Sequence, residues 1–216
     1  MIDLVLLRHG ESTANADDRF GGWLDFDLTA RGRDDAARAG RSIRDAGLRP
    51  AAVHTSLLRR AVDTADIVIA ETNATDAPVQ RSWRLNERHY GRLQGRTRDS
   101  VREEFGDAVF NGLRRSYDVV PPPAGPPGEN VDGESLADVR KRLVPYWDTE
   151  IVPDLEARRT TLVVAHGNSL RALCMHLDRL TAEEVSTLNI PTGAPLRYQL
   201  DRALRPTVPG GQYLRA

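Results

Sequence analysis

Cysteine and lysine each occur once in this chain, as Cys174 and Lys141. A single cysteine excludes any disulfide within the chain, which fits a reducing cytoplasm. With lysine almost absent, arginine carries the positive charge, so no one arginine is informative by type alone. Neither sign of charge is in excess: the formal net charge is −1. Nothing global therefore points to nucleic acid or a membrane surface, and an anion site must come from local clustering. No apolar run approaches the ~20 residues of a membrane span. The opening MIDLVLLRHG has no basic leader and no long apolar stretch, so no signal peptide is expected. The nucleotide-binding patterns G-x-G-x-x-G and G-x-x-x-x-G-K-[ST] are missing. No group of Cys, His or carboxylate residues has metal-ligand spacing.

What is present is an ordinary globular chain of 216 residues, 40% hydrophobic, enough for one domain. Ile2 to Leu7 reads as a buried strand ended by a polar turn. Thr29 caps a helix that runs to Ala46 and stops at Gly47. Ala51 to Thr55, Pro78 to Arg81, Thr160 to Ala165 and Pro195 to Leu200 read as further strands. Ser56 to about Glu71, Thr97 to Phe105, Ala108 to Tyr117, Ser135 to Trp147 or on to Arg158, and Asn168 to Leu177 read as helices, with a capping-box start at Thr181. The run PPPAGPPGENVDG, 121–133, can only be loop. Strands alternating with helices predict an α/β domain with a largely parallel sheet, whose ligands sit beyond the carboxyl ends of the strands.

Two strands end alike. LVLLRHG places Arg8 and His9 after one apolar run, and LVVAHG places His166 after another. If the strands are neighbours, both imidazoles face one cavity. A neutral imidazole is a nucleophile toward phosphorus, and the phosphoryl group in flight needs cationic donors around it. Arg8 and Arg60 are placed to supply them. Glu87, in LNERHYG, is the candidate acid/base for a reacting hydroxyl. Each residue has a plainer explanation: a strand-end histidine held by packing, a solvated arginine pair at 59 and 60, a surface cluster at 87–89. His54 and His176 read as structural, and Cys174 as core.

Taken together, LVLLRHGESTAN, FGGWLDFDLTARG, TSLLRRAVDT, LNERHYGRLQG and VVAHGNSLRAL with NIPTGAPL resemble the histidine phosphatase superfamily, and within it the 2,3-bisphosphoglycerate-dependent phosphoglycerate mutases. The match runs from Leu4 to about Leu200. The resemblance implies a three-layer α/β/α sandwich with a largely parallel sheet, a single phosphoglycerate mutase-like domain over 1–216 with a small lobe at about 83–133 over the active site. It implies that His9 becomes phosphohistidine, that Glu87 moves the proton, and that Arg8, Arg60 and His166 hold the transferred phosphoryl. From the first two motifs it carries over Ser12, Thr13, Asn15, Gly21 and Gly22 as substrate contacts. From the middle of the chain come Arg88, His89, Tyr90, Arg98, Arg114 and Arg115, and from the second histidine motif Gly167 and Asn168.

The chain departs from the family at Ala14, where a tryptophan is usual, and at Gly21, where threonine or serine is usual. Arg98 stands for a usual lysine, and the Pro-rich stretch and the end, GGQYLRA, are shorter than in many mutases. The expected activity is interconversion of 3-phosphoglycerate and 2-phosphoglycerate, primed by 2,3-bisphosphoglycerate, without a metal. The rival is a histidine-type phosphatase of small phosphorylated metabolites with water as acceptor, and a third reading is a non-catalytic phospho-ligand binding module. The expected partners are small phosphoglycerates, with no nucleic acid or membrane, and a homodimer or homotetramer is left open.

Overall fold

The computed structural model describes residues 1–124 and 132–215. The centre of the Pro-rich loop, 125–131, lies outside the described residues, and with it part of the small lobe expected at about 83–133. Strand β1 is Ile2–Arg8 and is followed by the short helix α1, Thr13–Ala16. Helix α2, Ala30–Asp45, starts where Thr29 accepts the Gly32 N–H and ends before Gly47, whose φ of 72° suits a residue without Cβ. Then come β2 (Ala52–Thr55), α3 (Arg59–Glu71) and β3 (Val79–Arg81). Helix α4, Arg98–Arg115, is broken at Gly106, where φ is 76° and ψ 162°, so the two helices read from the sequence meet at a kink.

Helix α5 (Leu136–Tyr146) runs through a wide turn at Trp147–Ile151 into α6 (Val152–Glu156). Pro145 and Pro153, which have no N–H to donate, flank that turn. The chain finishes with β4 (Thr161–Ala165), α7 (Gly167–Asp178), α8 (Ala182–Thr187), β5 (Leu196–Leu200) and β6 (Gln212–Tyr213).

The strands form one sheet in the order β3-β2-β4-β1-β5-β6. The first four are parallel to one another, β5 runs antiparallel to β1, and β6 runs antiparallel to β5. Side chains alternate between the faces of a strand, and the core divides accordingly. Leu4 and Leu6 of β1 pack with Val163 and Ala165 of β4 against α5 and α7, using Leu143, Leu170 and Leu173. Val5 and Leu7 pack with Leu162 and Val164 against α2 and α3, using Ile43, Ala61 and Val68. Helices therefore cover both faces, as a three-layer sandwich requires. Each such buried leucine, isoleucine or valine contributes about 1.5–3 kcal/mol relative to exposure. A separate small core, Phe20, Leu93, Val101, Phe110 and Leu113, holds α4 beside the loop that follows α1.

The start of α3 and the strand β6 differ from the sequence reading. Helix α3 begins at Arg59 and not at Ser56, because Ser56 folds back so that its Oγ accepts the Leu58 N–H at 3.1 Å. Strand β6 was not legible: two residues carry no periodicity, and the strand exists only because Tyr213 and Gln212 pair with Leu196 and Arg197.

Candidate active site

Strands β1 and β4 are neighbours in register, with Arg8 opposite Ala165. His9 and His166 thus follow adjacent strands at the same edge, and their ring centroids lie 5.0 Å apart. The loop after β1 can pass close to α2 only because two glycines meet there. A Cβ on Gly10 would stand 2.0 Å from the Gly32 oxygen, and one on Gly32 would stand 1.9 Å from the Glu11 oxygen. The Gly10 N–H is fixed on Thr64 Oγ1 at 3.1 Å.

His9 is 3% exposed, and its Nδ1–H donates to the Gly10 carbonyl at 2.7 Å. A carbonyl can only accept, so the lone pair sits on Nε2. Burial holds the His9 imidazolium well below the usual range, and the positive charges of Arg60 and Arg8 hold it lower still. His9 is therefore neutral and nucleophilic at neutral pH. His166 is fully buried and held neutral in the same way, by burial first and then by Arg60, His9 and Arg8.

One residue here escaped the sequence reading. Ser56 Oγ is 2.8 Å from His166 Nε2. Among the described residues the Ser56 hydroxyl has no acceptor other than Nε2, so its one proton goes there, and the ring proton of neutral His166 sits on Nδ1. That Nδ1 is buried with no partner among the described residues, as is Nε of Arg8. Two orphaned donors beside His9 suit an anionic ligand.

Among the described residues, the cavity in front of His9 is lined by seven arginines, at 8, 19, 60, 98, 114, 115 and 171, and by a single carboxylate, Glu87. Arg60 is aimed by the carbonyls of Leu24, at 2.9 Å, and Gly22, at 2.8 Å. Arg8 Nη1 donates to the Ile190 carbonyl at 2.9 Å. Burial lowers both guanidiniums, Arg60 to about 10, and leaves both charged at pH 7. Such a concentration of fixed cations stabilises a phosphoryl group as its charge develops. No metal-binding group of three or more His, Cys, Asp or Glu occurs among the described residues.

Glu87 is positioned from both ends. Its carbonyl accepts from Trp23 Nε1 at 2.6 Å and from Arg142 Nη2 at 3.0 Å. Arg142, paired with Glu134 at 2.6 Å, also gathers the carbonyls of Arg84 and Asn86. Its carboxylate lies at the N-terminus of α7, where the helix dipole favours negative charge.

Of the residues named from sequence, Ser12, Asn15, Gly21, Gly22, Tyr90, Gly167 and Asn168 line the cavity with Arg8, His9, Arg60, Glu87, Arg98, Arg114 and Arg115. Three do not. Thr13 is exposed. Arg88 is fully buried behind Tyr90, its guanidinium 4.6 Å from that ring and bonded to the Leu113 carbonyl. His89 is engaged with the Gly91 N–H at 3.1 Å and packs edge-on to Trp23. Adjacent residues of an extended segment point different ways, so the company of Glu87 does not place its neighbours in the site. The wall also contains Arg19, Arg171 and Asn189, which no short-range pattern singled out.

A family model of the histidine phosphatase superfamily (branch 1) matches residues 4–203. The chain belongs to that superfamily. The 2,3-bisphosphoglycerate-dependent phosphoglycerate mutase of Thermobifida fusca (strain YX) is 50% identical to it over 230 residues, covering 99% of this chain and 93% of that protein. The protein of the same name from Mycobacterium leprae (strain Br4923) is 50% identical over 225 residues, covering 98% and 91%. Among solved structures, a mycobacterial glucosyl-3-phosphoglycerate phosphatase complexed with VO3 superposes with a TM-score of 0.80 at 28% identity, covering 98% of this chain and 100% of that one.

Proposed function

We infer that this protein interconverts 3-phosphoglycerate and 2-phosphoglycerate through a phosphohistidine on His9. The observation that carries the chemistry is a neutral, oriented imidazole whose free Nε2 faces a cavity lined, among the described residues, by seven arginines and one carboxylate. Half-identity along nearly the full length of relatives named as mutases supports the substrate. The orphaned donors on Arg8 and His166 fit a phosphate-bearing primer such as 2,3-bisphosphoglycerate. When bound, that primer supplies the phosphoryl group His9 must carry before turnover.

In this reading the substrate hydroxyl attacks the phosphoryl on His9 Nε2. Glu87 takes the hydroxyl proton as the O–P bond forms and the N–P bond breaks. In the return step His9 attacks the other phosphate, and Glu87 gives the proton back to the departing oxygen. Arg8, Arg60 and the Nδ1–H of His166 stabilise the charge on the phosphoryl oxygens in both directions. Arg98, Arg114 and Arg115 hold the substrate's second anionic group, with Ser12, Asn15, Gly21, Gly22, Tyr90, Gly167 and Asn168 shaping the cavity around it. Thr13, Arg88 and His89 contribute through the loops they anchor.

A histidine-type phosphatase is the second reading, favoured by the close superposition on a phosphatase. It differs only in that water replaces the substrate hydroxyl. One experiment separates them: 3-phosphoglycerate turnover coupled to enolase, with phosphate release followed in parallel. We expect 2-phosphoglycerate to form faster than phosphate and to require trace 2,3-bisphosphoglycerate. Phosphate release exceeding 2-phosphoglycerate formation would move the protein to the phosphatase reading. A place in the cytoplasm fits the lone, buried Cys174.

A further inference from the structure

One oxygen of Glu87 is saturated and the other is not. Oε1 accepts three N–H groups: Arg88 N at 2.6 Å, Asn168 Nδ2 at 2.9 Å and Asn168 N at 3.2 Å. A proton on Oε1 would be driven against three donors, so a proton carried by Glu87 belongs on Oε2. Oε2 lies 3.6 Å from where a Cβ on Gly167 would stand, opposite the Arg8 guanidinium, in the wall of the cavity.

This selection depends on which way the Asn168 amide faces. Its Nδ2 reaches Glu87 only because its Oδ1 is taken elsewhere, by Arg171 Nη1 at 2.9 Å. A guanidinium cannot accept a hydrogen bond, so it holds the oxygen end of the amide and no other. The second Nδ2 hydrogen goes to Tyr90 Oη at 2.9 Å. Arg171 is itself clamped by the Val185 carbonyl at 2.7 Å and the Arg115 carbonyl at 3.2 Å. Burial lowers Arg171 to about 10, so it stays charged at pH 7. Were the amide to turn, Oδ1 would meet Oε1, two acceptors face to face, and Oε2 would lose its exclusive claim on the proton.

We propose that Arg171 is a positioning residue for proton transfer: by fixing the Asn168 amide it confines the travelling proton to Oε2 of Glu87. The proposal rests on Glu87 being the acid/base in the reading above. As the hydroxyl O–P bond forms and the His9 N–P bond breaks, the hydroxyl proton passes to Oε2, neutralising Glu87. It leaves from the same oxygen in the return step. The charged and titratable groups facing this carboxylate are Arg8 from β1, Arg60 from α3, Arg171 from α7 and Tyr90 from its own loop. His9 and the arginines at 19, 98, 114 and 115 line the same space.

Because Arg171 also lines the cavity, the test must separate positioning from direct substrate contact and from bare charge. It is a double-mutant cycle of Arg171→Met and Asn168→Ala, read in the pH dependence of kcat/KM. Alone, Arg171→Met should lower kcat about tenfold or more and move the acid limb of the profile up by about one pH unit. In the Asn168→Ala background it should move that limb no further. Arg171→Lys, which keeps the charge and one donor, should recover part of the loss. An equal shift in both backgrounds would mean that charge acts directly. A raised KM with the limb unmoved would mean substrate contact, and either result overturns the proposal.

Should the methionine variant fold poorly, the NMR signals of the Asn168 side-chain amide decide the matter without activity. They should be locked and slow to exchange in the wild type, faster to exchange in Arg171→Lys and averaged in Arg171→Met. An amide equally locked in all three would overturn the relay. Failure of Glu87 itself as acid/base is recognised separately, by a Glu87→Gln variant that retains wild-type turnover.

Discussion

Replacing Ser56 by alanine removes one oxygen from a position no substrate touches, and it tests how His166 works. In the wild type, Ser56 Oγ donates to Nε2 of His166 at 2.8 Å while accepting the Leu58 N–H at 3.1 Å. That pair of bonds makes Nδ1–H the favoured tautomer and anchors the ring 5.0 Å from His9. Without the hydroxyl, a buried Nε2 is left unpaired, which costs about 1–3 kcal/mol. That sum covers both the tautomer preference and the anchoring of the ring, and as a free energy it corresponds to a factor of roughly 5 to 150. The ceiling is complete loss of one preorganised donor, about 10²–10³ in kcat. We therefore expect Ser56→Ala to lower kcat by about 10- to 100-fold with KM little changed. His166→Ala should lower it by at least as much, and the double variant should match His166→Ala alone. The enolase-coupled assay gives the rates, and nitrogen-15 spectra of the histidine rings report the tautomer directly. A Ser56→Ala enzyme within threefold of wild type, or a wild-type His166 protonated on Nε2, would refute the reasoning.

His9→Ala should abolish both turnover and acid-labile labelling from 2,3-bisphosphoglycerate, and label on His166 in that variant would reassign the nucleophile. Glu87→Gln should lose about 10²–10⁴ in turnover while His9 still accepts label, which rapid-quench labelling can follow. Activity should be indifferent to EDTA, since arginines supply the charge, and loss reversed by added Mg²⁺ or Mn²⁺ would contradict that. His9, His54 and His166 are all lowered below 6.5, each by burial first. Below pH 6.5 the unfolded chain binds more protons than the folded one. Stability is then fully present above pH 6.5 and falls as pH drops toward the folded values, by about 1.4 kcal/mol per unit for each histidine. Urea midpoints compared at pH 7 and pH 5 test the sign, and a higher midpoint at pH 5 would contradict it.

Local chemistry already determined a good deal of this protein. The apolar runs before His9 and His166 are strands because continuous β-forming residues have no other compact use, and the parallel order follows from the helices between them. Thr29, Ser135 and Thr181 cap helices through side chains that reach only three residues ahead, so their role is written in the sequence itself. That His9, Arg8, Arg60 and Glu87 belong to one cavity was legible because each stands in a distinctive local motif. Contacts across the fold were not. Ser56 meets His166 across 110 residues of chain, and Arg142 gathers carbonyls 55 to 58 residues away. Arg19 and Arg171 are ordinary arginines until the loop after α1 and the start of α7 bring them to the same cavity. Arg88, set beside Glu87 in sequence, turns instead toward Leu113 and the back of Tyr90. Which way a side chain points from an irregular segment depends on what packs against it, and that is decided only when sheet, helices and loops close on one another.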